Sequence, residues 1–171
     1  MWCAVVVFSL PAIALEVDRS HRDGTIVVSA ELPHSVSAVR SLLADESVTM
    51  RLGKNIRDVK VTPLANGCAE LAVTNRAMRR ELRYVSERCP TADGWHSKMV
   101  SSDDFVRHDI QWAVRPENNH AKVLIFVDVE LKTIVPGWMV DRFVVNALEG
   151  TLRAMNDILS TTDSPISPPV D

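Results

Sequence analysis

A chain of 171 residues fits one domain, large enough to bury a core without metal or disulfide staples. Its 46% hydrophobic and 24% charged residues place it among globular rather than disordered proteins. The formal net charge of -3 argues against a dedicated nucleic-acid binder, so no nucleic-acid partner is expected.

The opening residues, MWCAVVVFSLPAIALE, hold no charged side chain before Glu16, and their apolar run ends in Ala12-Ile13-Ala14, the small-x-small pattern cut by signal peptidases. The run is too short to span a bilayer as a helix. Residues 1–14 therefore read as a removed export signal and the protein as exported. Because the segment starts without Lys or Arg, a mis-assigned start codon or a buried N-terminal strand is the alternative. No lipobox precedes Cys3, so lipidation is not suggested.

Arg19 to Gly24 is polar and reads as a mobile lead-in. Thr25 to Leu32 sets Ile26, Val28, Ala30 and Leu32 against Val27, Ser29 and Glu31, the alternation of a half-buried strand, and Pro33 ends it. Ser35 to Ala44 carries Val36, Val39, Leu42 and Leu43 at helical spacing, with Ser35 as N-cap, which predicts a short helix. Asp45 to Lys54 is open between a loop and a second short helix.

From Asn55 the pattern is strand throughout. Ile56 to Leu64, the Asn66-Gly67 turn, Cys68 to Asn75, Arg80 to Cys89, Trp95 to Ser101, Val106 to Arg115 and Ala121 to Lys132 follow one another with short polar connections. His108, Ile110, Trp112 and Val114 share one side of their strand, as do Val123, Ile125, Val127, Val129 and Leu131 of the next, while Asp128, Glu130 and Lys132 face the other way. Folded as a hairpin, Cys68 to Cys89 brings its two cysteines opposite or nearly opposite, either as a cross-strand disulfide or as two independent buried thiols.

The run Ile134 to Ser160 repeats Val140, Val144, Leu148, Leu152, Met155 and Leu159 at helical spacing, with Phe143, Ala147, Thr151 and Ile158 widening the stripe. Arg142, Asn146, Glu149, Arg153, Asn156 and Asp157 lie opposite, and Pro136 suits a first helical position. The result is one amphipathic helix of roughly 36 Å, long enough to cross a small sheet. Thr161 to Asp171, with Pro165, Pro168 and Pro169 among Ser, Thr and Asp, reads as a disordered tail.

A strand, one or two short helices, a six-stranded meander and a closing helix make an α+β architecture. A strongly curved sheet and a straight helix touch more readily at their ends than in the middle, where large side chains or a ligand must fill the gap. Tyr84, Met99, Trp112, Met139, Phe143, Ala147 and Thr151 are the candidates for lining such a pocket, with Ala147 and Thr151 leaving room on the helix. Taken singly, each is more simply a core residue, and only their collective geometry makes a site.

The order of elements carries a resemblance, together with four stretches. These are the segment after Asn66-Gly67, the run Arg80-Glu81-Leu82-Arg83-Tyr84, Ser101-Ser102-Asp103-Asp104-Phe105 leading to Ile110-Gln111-Trp112, and the Ile134-Val135-Pro136-Gly137-Trp138 start of the helix. Residues 25 to 160 resemble the START-like or SRPBCC superfamily, which includes polyketide cyclase/dehydrase-like and lipid-transfer domains. The resemblance implies a helix-grip fold, in which a curved antiparallel sheet of about seven strands wraps around the C-terminal helix and leaves an apolar cavity between them. It implies a hydrophobic partner, such as a lipid, isoprenoid or polyketide-like compound, and with no catalytic motif in the sequence the leading expectation is carriage without chemistry. The competing expectation is an enzyme of the cyclase or aromatase kind, in which Tyr84, His96, His108 or Arg83 serves as acid, base or oxyanion partner.

No GxSxG elbow, P-loop, HExxH, CxxC or GxGxxG occurs, so no cofactor is expected. His21, His34, His96, His108 and His120 are scattered. His96 and His108 fall on neighbouring strands, but two histidines without a placed third ligand do not define a metal site. Asp103-Asp104 reads as a solvated turn rather than a calcium loop. Arg76, Arg79, Arg80, Arg83 and Arg88 crowd the hairpin between the cysteines, with Glu81 and Glu87 only partly offsetting them. This cluster either holds the protein against anionic membrane lipids, at about 1 kcal/mol per Arg, or is a solvated strand face that resists edge pairing.

Overall fold

The alternating segments hydrogen-bond into one antiparallel sheet. The computed structural model describes residues 17–22, 24–45, 48, 52–77 and 79–162; the expected export signal at 1–14 and residues 163–171 of the expected tail lie outside them. The eight strands are β1 Val17–Arg22, β2 Thr25–Leu32, β3 Ile56–Pro63, β4 Ala69–Ala77, β5 Arg80–Pro90, β6 Gly94–Ser102, β7 Phe105–Glu117 and β8 His120–Leu131. Helix α1, Val36–Ala44, follows β2, and helix α2, Gly137–Thr162, follows β8.

The strand order is β1-β2-β8-β7-β6-β5-β4-β3, so the sheet is open, with β1 and β3 as its free borders. β3 to β8 form the expected meander, and β2 pairs antiparallel with β8 from Ile26↔Val127 to Leu32↔Ala121. Register shifts between Ile56 and Asp58, between Val85 and Ser86, and between Phe105 and Arg107 bend the strands where they occur.

The sheet has one strand more than expected. The segment read as a mobile lead-in is β1, paired with β2 from Val17↔Ala30 to Arg22↔Thr25. A border strand has a hydrogen-bonding partner on one side and water on the other, so backbone bonds hold it without the apolar alternation that marks an interior strand. Gly24, with φ of 82°, makes the tight return into β2. In the stretch 45–54, residues 46, 47 and 49–51 lie outside the described residues, and with them most of the possible second short helix. Val48 and Leu52 are described, and both are buried.

Ser35 caps α1 as expected, its Oγ accepting the Ala38 N–H at 3.2 Å. Val39 and Leu43 face the core, and the Arg40 guanidinium donates to the Val114 carbonyl at 2.9 Å, tying α1 to β7. α2 begins one residue later than its Pro136 suggested. The Pro136 carbonyl accepts from the Met139 and Val140 amides at 2.9 and 3.4 Å, so the proline precedes the helix instead of occupying its first position. The helix also runs through Thr161 and Thr162, where the tail was expected to begin. Ser160 and Thr161 hydroxyls donate to the Asn156 and Ile158 carbonyls at 2.8 and 2.7 Å and hold the last turn.

The cysteine alternatives resolve into a disulfide between Cys68 and Cys89, with Cα atoms 4.3 Å apart. The pairing of Ala69 with Arg88 places the two cysteines opposite one another.

Packing is uneven along α2. Under its second half the core is solid: Val28, Leu32, Val123, Ile125, Leu152 and Met155 are 0% exposed. Val145, outside the expected apolar stripe, is buried too. Under the first half, Val140, Phe143, Val144 and Ala147 stay half-buried, although Phe143 and Val144 touch the core clusters.

Candidate ligand cavity

The unfilled space under the first half of α2 is a cavity of about 400 Å³, within the usual range for small-molecule sites. Its sheet wall comes from the inward positions of β4 to β8, including Leu71, Val73, Leu82, Ile110, Trp112, Val127 and Val129. Val140, Phe143, Val144, Ala147 and Thr151 supply the helix wall. Thr151 spends its hydroxyl on the Ala147 carbonyl at 3.0 Å, so this wall is effectively apolar. Asp45, Lys54 and Asn146 are lining residues that are also exposed, which places the mouth between the end of α1, the start of β3 and the middle of α2.

A line of polar side chains crosses the apolar walls. Strict alternation on β5 turns Leu82, Tyr84, Ser86 and Arg88 inward. Ser86, 1% exposed, accepts a hydrogen bond from Ser97 of β6 at 3.1 Å. Arg88 donates to the Leu43 carbonyl and lies over the Trp95 ring at 5.3 Å, close to the mouth. Farther in, Tyr84 and His108 stack with ring centroids 4.2 Å apart, and Phe105 meets them at 5.5 and 4.9 Å.

Burial pushes the Tyr84 phenol pKa up and pulls His108 down to about 4, the latter opposed weakly by its own backbone hydrogen bond and by the Asp109 charge. His108 is therefore neutral in the folded protein at ordinary pH, while the unfolded chain protonates near 6.5. As pH falls from 6.5 toward 4, only the unfolded state takes up this proton, so stability drops through that window and levels off below it. We expect this group to contribute about 3 kcal/mol of the loss. Urea midpoints measured down to acid pH check this, and in His108→Phe that share of the slope should disappear.

Tyr84, Trp112, Phe143, Ala147 and Thr151 stand on the cavity wall as the sequence suggested. Met99 and Met139 do not. Met99 sits at the register shift between β5 and β6 and packs against the cluster of Ala77, Leu82 and Phe105. Met139 is on the first turn of α2, before the helix reaches the cavity. It is 38% exposed and lines a smaller hollow of about 300 Å³ with Arg80, Thr133, Ile134 and Val135.

Of the four residues considered for chemistry, only Tyr84 and His108 meet. His96 pairs with Gln111 and points out from the opposite face of the sheet. Arg83 is exposed and bonds to Glu81 at 3.0 Å. Arg88 leaves the expected basic cluster for the cavity. Asp104 is more than a solvated turn, since its carboxylate accepts the Arg83 N–H at 2.8 Å and its carbonyl accepts the Lys132 N–H at 2.9 Å. Among the described residues, Cys68, Glu87 and Cys89 form a group spaced for a metal, but the two sulfurs are spent on each other.

Sequence reasoning missed the polar wall, Asn75, Ser86, Arg88 and Ser97. The signal was available in the alternation of β5, where Tyr84 fixes which side Ser86 and Arg88 share.

An open antiparallel sheet gripping a C-terminal helix over a cavity defines the START-like, or SRPBCC, helix-grip fold. Solved structures of the same fold include a START superfamily protein from Mycobacterium smegmatis, 16% identical, covering 81% of this chain and 98% of its own, with a TM-score of 0.71. The Zhui aromatase/cyclase from a Streptomyces species is 9% identical over 82% of this chain and 96% of its own, with a TM-score of 0.72. Human StAR-related lipid transfer protein 5 is 10% identical over 88% of each chain, with a TM-score of 0.63. Neither a protein-family model nor a curated protein sequence matches the chain.

Proposed function

We propose that the protein binds and carries a hydrophobic small molecule, of lipid, isoprenoid or polyketide-like character, in the cavity under α2. The observation that carries this reading is the unfilled volume of about 400 Å³ with apolar walls beside an otherwise close-packed core. The fold's likeness to lipid-transfer and aromatase/cyclase structures is in keeping with it. Ala147 faces the cavity with no bulk of its own, so Ala147→Trp should fill the space. We expect it to weaken binding of the apolar dye N-phenylnaphthylamine by on the order of a hundredfold, with the melting temperature little changed. Undiminished dye binding by that variant would remove the cavity as the site.

Within the cavity, the cyclase or aromatase reading has the stacked Tyr84–His108 pair in its favour. Among the described residues, no carboxylate lines the cavity apart from Asp45 at its mouth, so the pair has no charged partner there to drive acid–base work. Carriage is the better account.

We infer a peripheral contact with anionic membranes at the end of the molecule where α2 begins. Ile134, Trp138 and Met139 are exposed there, and Arg80, whose guanidinium donates to Thr133, brings the hairpin tip with Arg79 alongside. Lys132 and Arg142 are exposed nearby in the chain. Exposed Trp and Ile beside basic side chains suit a bilayer carrying negative headgroups. The hollow under Ile134 and Met139 shares Ala77, Leu82 and Leu131 with the main cavity, so the two are separated by a single layer of side chains. No helix among the described residues is long and apolar enough to cross a membrane. Sedimentation with phosphatidylglycerol vesicles should retain the protein, and Trp138→Ala should cut retention about tenfold. Equal recovery with neutral vesicles would refute the electrostatic part, and no recovery with either would refute the contact. The disulfide supports work in an oxidising compartment outside the cytosol. Alkylation of the protein in its native host before lysis tests this, since free Cys68 and Cys89 would contradict it.

A further inference from the structure

We propose that the ligand of this cavity is an uncharged molecule with a hydroxyl or carbonyl oxygen on an apolar frame, bound with that oxygen inward between Tyr84 and His108. The proposal rests on the reading of the cavity as a binding site and adds the ligand's class and direction.

The inner end of the cavity holds polar groups that the protein leaves unanswered. His108 is 8% exposed, and its buried Nδ1 has no hydrogen-bond partner beyond its own backbone. Its ring stacks on Tyr84 and meets Phe105 edge-on. Asn75, on the same wall, has its Oδ1 buried and unpartnered. The Tyr84 hydroxyl likewise bonds to no described residue, in contrast to Ser86 and Ser97, which satisfy each other. A buried polar atom without a partner costs about 1–3 kcal/mol, and native proteins leave few of them. The Tyr84 hydroxyl borders the unfilled space, so a guest there can complete it, whereas Nδ1 of His108 and Oδ1 of Asn75 are sealed from that space. Nδ1 of His108 is closed off by protein, which leaves Nε2 as the nitrogen able to meet that guest.

Charge decides the class. A neutral imidazole offers one donor or one acceptor, and a phenol offers both, so together they suit a hydroxyl or a carbonyl. Among the described residues, the inner end carries no charge that would answer an ionised group. The charged lining residues, Asp45, Lys54 and Arg88, belong to the mouth. Arg88 follows Tyr84 by four positions on β5, about 13 Å at a strand's rise, and its guanidinium is already engaged with Leu43 and Trp95. An anion at the inner end would lose its hydration for no countercharge, and a pure hydrocarbon would bury Tyr84 and His108 unsatisfied.

Calorimetric titration with naphthalene, naphthol and naphthoate tests this, because the three share a frame and differ in the group that would face Tyr84 and His108. Naphthol should bind on the order of tenfold tighter than naphthalene, and naphthoate more weakly than either. In Tyr84→Phe and His108→Phe the advantage of naphthol should fall away while naphthalene binding holds, which also reports that the variants are folded. Where a variant fails to fold, the ranking on the wild-type protein decides alone. Equal binding of naphthol and naphthalene, or an advantage that survives both substitutions, overturns the proposal and leaves the cavity reading intact. Preference for naphthoate overturns it in favour of Arg88. Binding of none of the three overturns both readings.

Discussion

Gly94→Ala is expected to destabilise the domain by more than about 4 kcal/mol, enough to unfold much of the population. Gly94 is buried where β6 starts, directly opposite Ala113 of β7. A methyl group there would fall on the Trp112 carbonyl oxygen and crowd the Trp112 carbonyl carbon and the Ala113 Cα. All three are backbone atoms, so no side chain can rotate away. The strands would have to part, and Trp112 on the cavity wall would move with them. Gly150→Ala is the companion experiment. Gly150 lies within α2, and an added Cβ meets nothing within 4 Å. That change should stabilise by about 0.5–1 kcal/mol, the usual gain of alanine over glycine in a helix. Urea unfolding followed by circular dichroism separates the two. Similar midpoints for both variants would show that the close approach of β6 and β7 carries no such weight.

Leu152→Ala should cost between about 2 and 5 kcal/mol, as large-to-small changes in packed cores do. Leu152 is 0% exposed and belongs to the cluster with Val28, Ile125 and Met155. It sits one residue past Thr151, where the cavity wall gives way to solid packing. Its loss would extend the existing void into the part of the core that anchors the helix. A drop below about 1 kcal/mol in the same unfolding experiment would mean that the helix is held elsewhere.

The fold was legible because its signals are local. Alternation in β2, β7 and β8, the Asn66-Gly67 turn with Gly67 at a φ of 80°, and the stripe on α2 each name an element without reference to the others. β1 was not legible, since VDRSHR carries no apolar alternation, and its place is given by backbone pairing with β2. The cavity was legible in part. Tyr84, Trp112, Phe143, Ala147 and Thr151 follow from facing rules applied to one strand or helix at a time. Met99 escaped those rules because a register shift intervenes, and Met139 because the helix axis, unknown from sequence, decides where its first turn lies. The polar wall was missed for a different reason. Ser86 and Arg88 break the apolar alternation of β5 and so weaken the very pattern that would have turned them inward.

A sheet that stops short of closing into a ring leaves β3 with a row of amides and carbonyls facing water. In concentrated solution such a row is a template on which copies of a chain add one after another into ribbons. Here the exposed Arg57, Asp58 and Lys60 line the strand with charges that would have to be desolvated against another copy, and Pro63 has no N–H to offer at the strand's end. The molecule can therefore keep one side of its sheet unsealed and still resist polymerisation.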